Sequence, residues 1–262
     1  MKTIWQTIAV AFSMFSAIPT PQFEWNEKNM KYMMVAFPLI GVLIGALCWG
    51  SYELILTHAN YDFSAVTFGV LMTAIPILVT GGVHLDGYAD TSDALASHKA
   101  MEEKLEIMKD PHVGSFAVIR VGLYLLLLAG FWAGIPDYDF AVLPLAIGFV
   151  LSRTLSGLAI ASFPMAKNTG LAHTFASGAD KKTTRNLLIA LDVCVSLLLL
   201  AYSIFDDTPE GAAVVVAAHG TFGYYYYLSK KYFGGITGDL AGWFLQKCEL
   251  FMVIAVFLVQ QF

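Results

Sequence analysis

Charge is scarce in this sequence: Asp, Glu, Lys and Arg together make up 13% of its 262 residues. With 57% hydrophobic residues and a mean hydropathy of +0.65, the chain is too apolar for a water-soluble domain of this length. Cysteine is nearly missing as well. Cys48, Cys194 and Cys248 stand alone, with no C-x-x-C and no His at zinc spacing, which argues against a disulfide framework and a structural zinc and leaves them as packed thiols. No G-x-x-x-x-G-K-[ST] occurs, so the chain holds no P-loop. It also lacks the continuous basic surface that a nucleic-acid partner would need, and its net charge is −5. No fixed-period repeat, linker or second domain is visible, and residues 1–262 read as one integral-membrane domain.

What the chain does have is apolar length. Runs able to cross ~30 Å of hydrocarbon as helices fall at 33–57, 64–82, 117–135, 140–163, 187–205, 211–228 and 240–262. The expected fold is therefore an all-α, polytopic bundle of about seven spans. Ile4 to Ile18 is shorter, with Ile4, Ile8, Phe12, Phe15 and Ile18 at helical spacing, and reads as a helix lying in the interface. A secretory signal is the competing reading because Lys2 precedes the run, but Ser13 and Ser16 interrupt it and no A-x-A site follows.

The basic residues segregate. Lys28 and Lys31, then Lys99, Lys104 and Lys109, then Lys167, Lys181, Lys182 and Arg185, then Lys230 and Lys231 fall in alternate loops. The loops near 58–63, 136–139 and 206–210 contain Asp62, Asp137, Asp139, Asp206, Asp207 and Glu210 but no Lys or Arg. By the positive-inside rule the long basic loops are cytoplasmic. Tyr224 to Tyr227 reads as an interfacial aromatic belt, and His219, in mid-span, as a packing residue.

The most informative stretch is GGVHLDGYADTSDALASHKAMEEKLEIMKDPHVGSF, from Gly81 to Phe116. Asp86, Asp90 and Asp93 stand at i, i+4 and i+7, which puts three carboxylates on one face of a helix. They repel one another without a cation, and carboxylate oxygens are natural ligands for magnesium completed by substrate phosphates. Such a face can equally be a solvated charge run. Here, however, it follows directly on an apolar span, where ionisable groups are expensive and count as functional candidates. Gly82 and Gly87 would let backbone approach a ligand closely.

HLDGYADTSDAL followed by EIMKDPHVGSF resembles the signature of the adenosylcobinamide-GDP ribazoletransferases, the cobalamin synthase family. The resemblance continues through Phe15 to Pro19, Ser152-Arg153, Lys167-x-x-Gly170-Leu171 and GGITGDLAGWFLQKCE from Gly234 to Glu249. It implies a magnesium-dependent membrane phosphotransferase. Its substrates would be adenosylcobinamide-GDP and α-ribazole or the 5′-phosphate of α-ribazole, GMP would be released, and the site would face the cytoplasm of a bacterial inner membrane. Lipid is the surrounding partner, and a homo-oligomer is left open. Asp86-Gly87-x-Ala89 also faintly resembles the opening of the CDP-alcohol phosphotransferase motif, but Asp90 stands where that family has Arg and its later G-x-x-x-D-x-x-x-D is missing. A cation-coupled transporter would use the same acids nearer mid-bilayer.

Breaking a pyrophosphate requires neutralising charge on the attacked phosphoryl group and on the leaving group, for which Lys104, Lys109 and Lys167 are candidates. Positive-inside sorting is their alternative. Asp110 is a fourth carboxylate for the metal, or a turn residue before Pro111. Arg153 lies inside a span and faces either the active cavity or an ion-pair partner, Asp192 or Glu249. His84 polarises the nucleophilic hydroxyl, orients an aspartate or simply packs. Asp239 either completes the site, with Gly235 in a loop approaching phosphate, or caps the last helix.

Overall fold

A computed structural model of the chain describes residues 2–58, 64–166 and 180–262. The described residues are overwhelmingly helical. In chain order they form α1 (Lys2–Phe15), α2 (Glu27–Met30), α3 (Met33–Ala36), α4 (Pro38–His58), α5 (Ala65–Thr80), α6 (Val83–Ala96), α7 (Met101–Ile107), α8 (Ser115–Ala133), α9 (Tyr138–Ser162), α10 (Lys181–Phe205), α11 (Glu210–Phe233) and α12 (Gly238–Val259). Met165 and Ile236 pair in an isolated parallel bridge.

Among the described residues, five helical stretches are long and apolar enough to cross a membrane: Lys28–Thr57, which takes in nearly all of α4, then α8, α9, α10 and α12. The chain is a multi-pass membrane protein. Two of the seven expected spans differ from that description. The 64–82 run becomes α5, which stops at Thr80 and meets α6 at 98°, so that α5 and α6 make a sixth crossing only if taken together. At 14 residues, or ~21 Å, α6 is too short to cross by itself and is not one of the five spanning stretches. The 211–228 run becomes α11, which is long enough but diluted by His219 and Tyr224 to Tyr227. The apolar N-terminal segment forms α1 as expected, ending at Phe15 rather than Ile18.

Small residues set how the helices approach. A Cβ added at Gly41 or Gly45 of α4 would stand 2.3 Å from the carbonyl oxygen of Phe149 or Ala146 on α9. A Cβ at Gly69 of α5 would reach 2.2 Å from Ala129 O on α8, and one at Gly211 of α11 would reach 2.1 Å from Leu199 O on α10. Without a hydrophobic drive between helices in lipid, such close backbone packing is what holds a bundle together. Side chains on the outside remain apolar and exposed, among them Leu126, Ile204 and Val216.

The ends of the spans sort into two groups. Tyr52 at the end of α4 bonds Asp139 at the start of α9. Gln260, after α12, receives from Asp137 N at 3.0 Å and donates to Glu210 at the start of α11 at 2.8 Å. The 136–139 and 206–210 loops, which contain no Lys or Arg, therefore share one face with the end of α4. At the other, Lys31 Nζ lies 3.7 Å from the Asp180 carboxylate, and the Thr184 hydroxyl reaches Lys31 O. Asp62 and Lys167 lie outside the described residues.

Candidate active site

The site is built where α6 crosses the start of α12. After Thr80 the chain must turn sharply, and Gly81 (φ 63°) and Gly82 (φ 80°) take left-handed conformations that side chains disfavour. Ala17 N donates to Val79 O at 2.8 Å, which ties the segment after α1 to this turn. α6 then starts with Asp86 in its first turn, where partial positive charge favours a carboxylate. At the far end of the sequence Thr237 caps α12 by accepting from Leu240 N at 3.2 Å, and Asp239 lies in the first turn of that helix.

Glycine brings the two helices together. A Cβ at Gly87 would stand 2.7 Å from both Asp239 Cα and Asp239 O, and one at Gly242 would stand 2.8 Å from His84 O. Gly87 thus admits the backbone of Asp239, where the sequence suggested approach to a ligand. Burial first, and then the charges of Asp86, Asp239 and Asp93, push the Asp90 carboxyl up to about 6. Four aspartates drawn from α6 and α12 therefore share one field.

They do not share one role. Asp93 Oδ1 accepts from Ala117 N at 3.3 Å, and a Cβ at Gly114 would stand 1.8 Å from Asp93 Oδ2. Gly114, at the N-cap of α8, has no side chain to cap with, and Asp93 supplies the carboxylate across the fold. Arg120 reinforces that joint by donating to Ser92 O at 3.0 Å.

Beside Asp86 and Asp239 lies a cavity of about 270 Å³, walled by Phe15, Phe37, Met34, Ile160 and Leu245. His84 reaches into the same space. Its Nε2 is buried and has no hydrogen-bond partner among the described residues. Burial, with Arg153 beyond it, pushes the imidazole down to about 3, so the ring is neutral and can donate or accept.

The remaining candidates lie elsewhere. Arg153 is fully buried and ion-paired with the buried Glu249, with Ser152 Oγ accepting at 2.9 Å, which is the ion-pair arrangement rather than one open to substrate. Lys104 is buried too, donates to Lys99 O, and lies over the Tyr232 ring at 5.9 Å in a separate depression with His98 and Lys231. Lys109 is exposed and pairs with Glu106 at 2.6 Å. Asp110 is exposed and accepts from His112 N at 3.0 Å, the turn arrangement. Gly235 packs on backbone: a Cβ there would stand 2.5 Å from Pro164 O. Gly82 borders a shallow depression with Asp86 and Ala89, open to a ligand. His219 pairs with Asp192 at 3.3 Å. The sequence reading missed Phe37, Met34 and Ile160, which lie in unremarkable apolar runs and carry no signal that one cavity gathers them.

As placed, no three His, Cys, Asp or Glu side chains among the described residues stand close enough to hold an ion jointly. The donor set still suits magnesium, which binds through one or two carboxylates and completes its octahedron with water and phosphate. The charge crowding at Asp90 is what a cation would relieve.

The fold and site define a class: a multi-pass helical membrane protein with a carboxylate cluster beside a cavity. The chain matches the pattern of the cobalamin-5-phosphate synthase family over residues 7–257 and belongs to that family, a group of transferases of cobalamin synthesis. It is 40% identical over 261 residues to a protein of Lachnoclostridium phytofermentans named adenosylcobinamide-GDP ribazoletransferase, covering 99% of this chain and 95% of that one. Proteins of the same name from Clostridium perfringens strain 13 (35% identity; 95% of this chain, 96% of that one) and Geobacillus kaustophilus (34%; 95% and 94%) are similar too. No solved structure matches the chain.

Proposed function

We propose that the protein joins α-ribazole, or its 5′-phosphate, to GDP-activated adenosylcobinamide, releasing GMP, with magnesium at the α6–α12 crossing. The observation that carries this reading is the meeting of Asp86 and Asp90 with Asp239, from opposite ends of the sequence, at a joint that glycine alone allows.

Asp86 and Asp90 would hold the cation, with Asp239 beside them, while Asp93 of α6 stays tied to the N-terminus of α8. Magnesium held there would supply the positive charge that phosphoryl transfer from a pyrophosphate needs. The ribose 3′-hydroxyl oxygen of the acceptor forms a new bond to the cobinamide-bearing phosphorus, the bond from that phosphorus to the GMP oxygen breaks, and the hydroxyl proton passes to one of the carboxylates. Gly82 leaves the Asp86 side open to phosphate.

On this reading the site opens on the face of the basic loops, which the positive-inside rule makes cytoplasmic. Carboxylates at span ends rather than along a mid-membrane path favour an enzyme over a transporter. The test is GMP release from the GDP-activated corrinoid by purified protein in nanodiscs. Release that requires both α-ribazole and magnesium is expected, and release indifferent to either would overturn the proposal.

A further inference from the structure

The cavity beside Asp86 and Asp239 has features that phosphoryl transfer does not use. Phe15 and Phe37 meet at 4.6 Å between ring centroids, and His84 stacks on Phe15 at 6.3 Å and meets Phe37 edge-on at 5.8 Å. Met14 and Met34 add polarizable sulfur to the wall. One end is thus aromatic and apolar, while the rim carries two carboxylates. Between them sits the buried His84 Nε2 with no partner among the described residues, and a buried polar atom left so is costly unless a ligand completes it.

An occupant must match all three features. It needs a flat apolar ring system for the aromatic walls, a hydrogen-bonding atom for His84, and a hydroxylated part that reaches the carboxylates. An acyl chain satisfies the first feature only. We infer that this cavity binds the planar heteroaromatic base of the acceptor nucleoside, with His84 Nε2 hydrogen-bonded to the acceptor and the ribose directed to the rim at Asp86 and Asp239. The inference rests on the proposed reaction for the identity of the acceptor and adds where that acceptor sits. α1, which supplies Met14 and Phe15, becomes a wall of the binding site as well as an interfacial helix.

Ala241 lines the cavity from α12. Ala241→Leu extends apolar bulk into open space, and His84→Phe keeps the ring while removing the nitrogen. Binding of α-ribazole to the protein in nanodiscs, measured by calorimetry in chelator and without corrinoid, reads the cavity apart from catalysis. Saturable binding to the wild type is expected, with free dimethylbenzimidazole competing. Ala241→Leu should weaken binding at least tenfold and His84→Phe roughly tenfold, with the corrinoid KM of each variant changed less than about threefold. Should Ala241→Leu fail to fold, a photoreactive benzimidazole riboside on the wild type decides instead: label on peptides containing Phe15, Met34, Phe37, His84, Ile160 or Leu245 supports the assignment, and label elsewhere overturns it. Unchanged affinity in folded Ala241→Leu, or displacement of α-ribazole by a long-chain alcohol but not by the free base, would also overturn it. Loss of wild-type GMP release alongside intact binding counts against the reaction, not against the cavity.

Discussion

Thr237, not Asp239, caps α12, and this separates two roles that the sequence left merged at Asp239. Thr237→Ala should cost about 0.5–2 kcal/mol of stability. Asp239→Asn and Asp239→Ala should both leave the melting temperature near that of the wild type while turnover falls by orders of magnitude; a fully active Asp239→Asn enzyme would remove the residue from the site. Arg153 responds differently because it is sealed against Glu249. Breaking a buried pair strands a charge, so Arg153→Met alone should cost ~3–5 kcal/mol, whereas Arg153→Met with Glu249→Leu should recover most of it. Thermal unfolding in detergent of the two single variants and the double variant reads this. Recovery of stability without recovery of activity would return Arg153 to a part in catalysis.

At the level of elements, α6 and α12 are pressed together against the repulsion of their own aspartates. Gly87→Ala places a methyl 2.7 Å from the Asp239 backbone, so the helices must part, at a cost of about 1–3 kcal/mol. The carboxylates separate with them, and a kcat loss well beyond what the stability change explains is expected. Asp90→Asn works in the opposite sense. The folded Asp90 carboxyl holds its proton up to about 6, above the roughly 3.9 of an unfolded aspartate. Its contribution to stability is therefore fully present below about pH 4 and is lost as pH rises through 6. In chelator, Asp90→Asn should flatten that decline and raise the melting temperature near pH 7, and with magnesium present it should abolish turnover, the trade expected of a site that stores repulsion for a cation. Melting curves of both proteins at pH 4.5 and 7.5 check it.

At the scale of the whole molecule, the sorting of basic and acidic loops to opposite faces predicts sidedness. In a background lacking Cys48, Cys194 and Cys248, an impermeant thiol reagent applied outside intact cells should label Asp207→Cys and spare His98→Cys. The reverse pattern would invert the orientation and put the acidic site outside.

The sequence alone determined the bilayer, the helical class and the identity of the acidic residues, because hydropathy, charge sorting and the i, i+4, i+7 spacing of Asp86, Asp90 and Asp93 are local properties of a chain. It could not show that Asp93 is committed to the N-terminus of α8, that Arg153 is held by Glu249 rather than Asp192, or that the 64–82 run stops short and bends at Gly81-Gly82. Each of these depends on which surfaces meet. Met34, Phe37 and Ile160 look like ordinary packing residues in sequence and, with Phe15 and His84, line a cavity once α1, α3, α6, α9 and α12 converge. Tertiary structure decided that convergence because close helix approach in lipid is governed by where small residues oppose backbone, and the pairing of Gly87 with Asp239 and Gly242 with His84 joins segments about 150 residues apart that nothing local could have brought together.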